Sequence, residues 1–302
     1  MENTKINYGY ACINLSVKNA RTNRSMIRST FDKKGITYAS ELALKNLRGL
    51  VKIISWNNSM GIRFYRMSSD IFPWMSEYDI KDLPDFKTLE KLMMGAGSIA
   101  GKYDQRLTFH PGPFNMLASP DKGVVERTVR ELNQHGEIMD YMGLFASQYN
   151  KINIHIGTGY GDKEKTIDRF IQNLDMLDES TRSRLTVEND DCEAGYTATE
   201  LVEMLNPRTK IPIVFDYLHH ACNPGGVSEA DALAACVSTW PDDITPVVHA
   251  SSSRKLFEGN GRESSHADHI HERIDLHGHV ADIMIEAKAK DMALLRYLKT
   301  YT

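Results

Sequence analysis

Residues 185–219 read LTVENDDCEAGYTATELVEMLNPRTKIPIVFDYLH. An apolar run at 185–189 gives way to an amphipathic stretch at 197–205 and then to a second apolar run at 213–216. Gly195 and the Thr197-x-x-Glu200 spacing mark a helix start of the capping-box kind, in which hydroxyl and carboxylate satisfy free backbone N–H groups at the helix start. Strand, short helix, strand is the repeating unit of a parallel α/β sheet. Both runs end in a carboxylate, Glu188 and Asp216, and His219 follows within one turn.

The unit recurs in both directions. Short apolar or β-branched runs fall at 7–13, 63–67, 106–110, 151–156, 185–189, 213–216, 245–250 and 282–286, eight in all. Helix-like segments lie between them at 39–54, 86–99, 124–148, 163–177, 197–205 and 228–238, with a last one at 291–301. In the segment 124–148, Val124, Val125, Val129, Leu132, Ile138, Met139, Met142 and Phe145 form a stripe at three- and four-residue spacing, which predicts one helix face packed on a sheet. Eight strands with crossover helices predict a single (β/α)8 TIM barrel over residues 1–302, with long loops at 15–35 and 251–281. No repeat, low-complexity tract or linker divides the chain.

Composition narrows the classes. Of 302 residues, 41% are hydrophobic and 25% charged, which suits a chain with a packed core and excludes a disordered or fibrous one. Lys and Arg total 36 against 40 Asp and Glu, so a uniformly basic coat is excluded and any anion must meet local positive charge or metal. Four cysteines without a C-x-x-C pair fit a reducing compartment. No apolar run approaches the ~18 residues of a membrane span, and the opening MENTKINYGY lacks a secretory pattern. A cytoplasmic protein is expected, neither secreted nor membrane-bound.

The polar residues are placed more tellingly than the apolar ones. Six of the eight runs end in a metal-ligand type: His110, His155, Glu188, Asp216, His249 and Glu286. Strand ends in such a barrel converge on one rim, where active sites are built. A lone strand-end His or carboxylate is usually a hydrogen-bonded structural residue, but six converging ones would be costly without a compensating divalent cation. His219 and, in the loop after the seventh run, His266 extend the set, so more than one ion is expected. Imidazole and carboxylate together suit Mn²⁺ or Zn²⁺ better than Mg²⁺. His269, His271, His277 and His279 read as a solvated polar tract.

Arg21, Arg24, Arg28, Lys33 and Lys34 crowd positive charge after the first strand. A charged run is ordinarily a solvated loop; beside a metal rim it is also a place for a phosphate backbone to lie. Pro113 and Phe114, after His110, present an aromatic ring on a tight turn, either as packing or as a wedge between bases. Gly157, Gly159 and Gly161 lack the spacing of a nucleotide cradle, so no nucleotide cofactor is expected. A metal-dependent sugar isomerase and a non-catalytic DNA-binding module are the rival readings. The first needs a closed pocket and no basic arm; the second leaves Glu188, Asp216 and Glu286 unexplained.

The strings GYACINL, TNRS, YRMSSD, FHPGPF, NIHIG, VENDD, FDYLHH, VVHASSSR, HADH and DIMIEAKAK occur in order between residues 9 and 290. In order and spacing they resemble the UV damage endonuclease family. That resemblance implies a TIM barrel related to that of endonuclease IV, with up to three divalent ions, commonly manganese. It implies an enzyme that nicks double-stranded DNA on the 5′ side of cyclobutane pyrimidine dimers and 6-4 photoproducts, leaving a 3′-hydroxyl and a 5′-phosphate. Its catalytic residues are His110, His155, Glu188, Asp216 and Glu286. His110, His155 and Glu188 hold one ion; Glu188 bridges to a second held by Asp216, His249 and Glu286; His219 and His266 hold a third. By the same resemblance Tyr10 and Asn14 would contact the DNA, with Arg21, Arg24, Arg28, Pro113 and Phe114 beside them, and a monomer is expected, nucleoid-associated in a prokaryote. Two positions depart from the family pattern. Val247 stands where some members carry a modified lysine, and Pro113 stands where a glutamine commonly precedes the aromatic.

Overall fold

The computed structural model describes residues 6–302. Eight short strands form: β1 (Tyr8–Ala11), β2 (Phe64–Arg66), β3 (Arg106–Thr108), β4 (Ile152–Ile154), β5 (Leu185–Glu188), β6 (Ile213–Asp216), β7 (Val247–Ala250) and β8 (Asp282–Ile285). All are parallel, in the order β3-β2-β1-β8-β7-β6-β5-β4. A single parallel bridge between Phe109 and Ile152 joins the two outer strands, which closes the (β/α)8 barrel. The helices are α1 (Arg28–Ser59), α2 (Phe86–Lys102), α3 (Lys122–Tyr141), α4 (Lys163–Leu174), α5 (Glu179–Arg182), α6 (Ala198–Met204), α7 (Asn206–Thr209), α8 (Tyr217–Cys222), α9 (Glu229–Val237), α10 (Arg254–Glu258) and α11 (Lys290–Tyr301). No described helix is long and apolar enough to cross a membrane.

Local chemistry accounts for the helix ends. Thr197 accepts a hydrogen bond from the Glu200 backbone N–H while the Glu200 carboxylate accepts one from that of Thr197, the reciprocal cap expected for α6. Asp121 caps α3 through the Val124 N–H. That helix stops at Tyr141, short of residue 148, because Gly143 takes a left-handed φ of +69° and turns the chain. Phe145 therefore lies beyond the helix and is exposed. The segment 15–35 is also not all loop. Helix α1 begins at Arg28 and is broken at Gly35, whose φ of +59° interrupts the helical backbone.

Strand parity decides what faces the barrel interior. Alternate residues of a strand share a face, so every residue an even number of places before a rim ligand points inward. Counting back from Asp216, His249 and Glu286 gives Val214, Val247 and Met284, which pack with Ala11, Phe64 and Trp240 in an apolar cluster separate from the main core. Below them lies a polar floor. Arg106, fully buried, pairs with Asp282 at 2.9 Å and donates to the carbonyls of Tyr149, Thr245 and Gln148. Its guanidinium also faces the rings of Phe64, Tyr149 and Trp240. The metal-ligand types thus stand on an apolar plug sealed beneath by a buried ion pair.

Candidate metal centre and DNA face

Glu188 is the hub. Completely enclosed at the end of β5, its Oε2 lies 3.1 Å from His110 Nε2 and 2.9 Å from His249 Nδ1, and its Oε1 lies 3.3 Å from His219 Nδ1. Asn153, inward-facing on β4, donates to the same Oε2 and is itself held by the Thr186 hydroxyl at 2.8 Å. The three carboxylates differ in their surroundings. Burial opposes charge on Glu188, but His249, His155 and His110 more than offset it and hold the carboxyl well below its usual range. Burial likewise opposes charge on Glu286, where Arg66 and His249 prevail and lower it. On Asp216 burial wins and raises the pKa.

Two sets of ligand atoms lie within 4.8 Å of one another: His110, His155 and Glu188, and Glu188, Asp216 and His249. Glu188 belongs to both, the arrangement of a bridging carboxylate. Asp216 Oδ2 is buried without a hydrogen-bond partner, as an atom is that faces a cation. Burial pushes His110 down to about 4, so near neutral pH it is uncharged and a lone pair is free for coordination. The donor set therefore fits divalent ions. Glu286 adjoins the second group, its Oε1 3.1 Å from His249 Nδ1. Among the described residues His219 and His266 enter no third group. His219 lies against Glu188 and Asp216, which overcome burial and raise it to about 10; His266 Nδ1 lies 2.6 Å from the backbone oxygen of Glu286. His271 stacks on Phe257 and His277 meets Glu229, both away from the centre.

Two inward-facing cations belong to this centre and were not singled out by the strand-end pattern. Arg66, at the end of β2, forms an ion pair with Glu286 Oε1. Lys151, four places before His155, is fully buried with its Nζ 3.2 Å from His249 Nε2, and burial holds its amine well below the usual lysine range. Counting strand parity back from His155 would have found Lys151, whereas β2 carries no ligand from which to count to Arg66.

The UV-endonuclease UvdE family model matches residues 6–302. The chain belongs to that family. It is 31% identical over 307 residues to the UV-damage endonuclease of Schizosaccharomyces pombe, covering 97% of this chain but only 50% of that longer protein. It is 33% identical over 270 residues to the UV DNA damage endonuclease of Bacillus cereus, covering 86% of this chain and 81% of that one. Its fold superposes on the crystal structure of SacUVDE with a TM-score of 0.84 at 28% identity, over 98% and 97% of the two chains.

The residues expected to meet DNA fare differently from one another. Phe114 is 88% exposed on the same rim as the metal centre. It occupies a turn closed by a 3.0 Å hydrogen bond from the Asn115 N–H to the Gly112 carbonyl, and Asn115 Nδ2 ties that turn to Glu131 of α3. Pro113 fixes one φ inside it. The ring is therefore held out rigidly and packs against nothing, unlike a loop anchor. Beside the turn, a cavity of about 330 Å³ is lined by Pro113, Met116, His155, Asp190, Cys192 and His219 among others.

Tyr10 and Asn14 are buried instead. The Tyr10 hydroxyl donates to Asn57 Oδ1 at 2.7 Å and accepts from Asn14 Nδ2 at 2.8 Å, so in this conformation Tyr10 presents no surface to a duplex. Arg28 is engaged by Asp32 and Glu77, and Arg24 donates to the carbonyl of Arg21. Arg21 is exposed, its Nε bonded to Asn23. Val247 lies in the apolar plug, which offers no carboxylated lysine at that place.

Proposed function

We propose that this protein nicks double-stranded DNA on the 5′ side of ultraviolet photoproducts by metal-assisted hydrolysis, leaving a 3′-hydroxyl and a 5′-phosphate. The observation that carries the reading is one buried carboxylate, Glu188, shared by two ligand groups on a rim that also holds out an exposed aromatic ring. His110, His155 and Glu188 would hold one divalent ion, and Glu188, Asp216, His249 and Glu286 a second, with manganese the best match to the donors and zinc next. When bound, such ions lower the pKa of a coordinated water and accept charge on phosphate oxygens. The protein's part is to fix the ligands, exclude water beneath them and position the strand. His155 Nδ1 lies 2.9 Å from Asp190 Oδ1. A sugar isomerase reading is not favoured, since a rigid exposed phenyl ring serves no closed sugar pocket. The test is incubation of metal-loaded protein with irradiated and unirradiated supercoiled plasmid, followed by end analysis. Nicks confined to irradiated plasmid and religatable without trimming are expected; nicking independent of irradiation rejects the reading.

Metal content gives a separate prediction. Two ions per chain are expected by elemental analysis, since two groups share Glu188 and no third is assembled among the described residues. His266→Ala is expected to leave that number unchanged, and a loss of one ion in this variant would place a third site there.

Phe114→Ala is expected to reduce affinity for photoproduct DNA about tenfold, on the ~1–3 kcal/mol of a base–aromatic stack, with little change for intact duplex. Intact DNA must first be unstacked at a cost of a few kcal/mol, so the ring gains net energy chiefly where a lesion has already weakened pairing. Equal losses on both duplexes, measured by titration at one salt concentration, would remove the wedge. The side chain is 88% exposed, so the melting temperature is expected to stay put.

A further inference from the structure

The rim is electrically lopsided. Strands β1 and β5 stand on opposite sides of the barrel, four places apart in the strand order. Beyond β5 the chain continues as Asp190, Asp191 and Glu193. On the other side, β2, β1 and β8 are neighbours, and cations gather there. Arg66 ends β2; Lys288 and Lys290 follow β8 directly.

Glu286 is the carboxylate paired with Arg66. Among the described residues Lys288 and Lys290 form no ion pair, and Arg66 Nε is buried with no partner. Lys290 is half-buried; burial first, then the charges of Arg66 and Lys288, holds its ammonium below the usual lysine range against the opposing pull of Cys12 and Glu286. Lys288 is exposed, but Lys290 is half-buried without an ion pair beside the unpartnered Nε of Arg66, and such cations in a partly dry place are unfavourable unless an anion joins them. Glu188, the hub of the metal-ligand set, does not supply that anion, because imidazoles engage both its oxygens.

We propose that Arg66, Lys288 and Lys290 form a phosphate subsite that grips one backbone phosphodiester of the DNA beside the metal centre. The inference rests on the proposed function and deepens it. A charged grip on the β8–β1–β2 side fixes the direction in which a strand crosses the centre, because the β5 side repels phosphate. It acts on the backbone and so carries no base information.

The experiment walks a single uncharged methylphosphonate along the lesion strand of a photoproduct duplex and measures binding to wild type and to Lys290→Gln. In wild type one position near the nick is expected to weaken binding about tenfold, the scale of a charge-assisted hydrogen bond. Lys290→Gln is expected to lose a similar factor on the all-phosphate duplex, to lose nothing more at that one position, and to show a salt slope smaller by about one. Lys290→Arg is expected to restore the wild-type pattern, and an unchanged unfolding midpoint separates the effect from misfolding. Additive penalties at every position overturn the subsite while leaving damage-specific nicking in place. Inorganic phosphate binding to wild type that is lost in Lys290→Gln, without methylphosphonate coupling, assigns the site to free phosphate and also overturns the backbone reading. A wild-type protein that neither binds nor nicks photoproduct duplex overturns this inference and the proposed function together.

Discussion

Glu188→Gln is expected to lower nicking by orders of magnitude with the barrel still folded. The side chain touches His110, His219 and His249 within 3.3 Å and belongs to both ligand groups. The amide keeps the shape and the bond from Asn153 but removes a negative charge that two ions would share. In the absence of metal that charge is held by imidazoles that push the carboxyl well below its usual range, and those imidazoles can become neutral when it is lost. The fold therefore tolerates the change, whereas the metals do not. Elemental analysis is expected to show both ions depleted, a readout independent of activity. Chelation supplies a third: wild type loses the stabilisation that bound ions give the native state, and the variant, having little to lose, shifts little. Activity within about tenfold of wild type, only ~1.4 kcal/mol in the barrier, would reject a bridging role.

Much of this centre was legible because ligand chemistry is written at strand ends. His110, His155, Glu188, Asp216, His249 and Glu286 follow runs whose apolar character marks them as strands, and all eight strands formed where those runs lie. The cations were less visible. Arg66 and Lys151 sit on the inward face, but an isolated Arg or Lys in a strand ordinarily turns to solvent; parity with His155 shows otherwise for Lys151, while β2 offers no ligand against which to count Arg66. Parity was similarly decisive for Val247, which belongs to the plug because it lies two residues before His249. Tyr10 illustrates what local pattern cannot convey. Its burial depends on Asn57, forty-seven residues away on α1, and no short-range signal announces that contact. Helix α3 was extended too far because the apolar stripe continues in sequence past Gly143, and one left-handed residue outweighs a stripe.

Asp282→Ala is expected to cost the fold more than any change on the rim. Asp282 and Arg106 are almost wholly inaccessible at the barrel floor, 2.9 Å apart, and the other Asp282 oxygen accepts the Asn7 backbone N–H. Removing the carboxylate leaves a guanidinium enclosed without a counter-charge, a loss of about 3–5 kcal/mol when one partner of a buried pair is deleted. Here the lower end is expected, near 3 kcal/mol, because Arg106 keeps three carbonyl acceptors and three aromatic faces. On a chain of this size that is a fall of roughly 5 °C in melting temperature. The floor lies below the apolar plug, so metal content and nicking well below the transition are expected to match wild type. A control separates lost charge balance from lost packing. Replacing both partners, Arg106→Met with Asp282→Leu, removes the stranded charge and is expected to recover much of the stability, since apolar replacements of buried pairs are often neutral or better. A double variant no more stable than Asp282→Ala would show instead that the carbonyl contacts of Arg106, which the methionine lacks, are what hold the floor together.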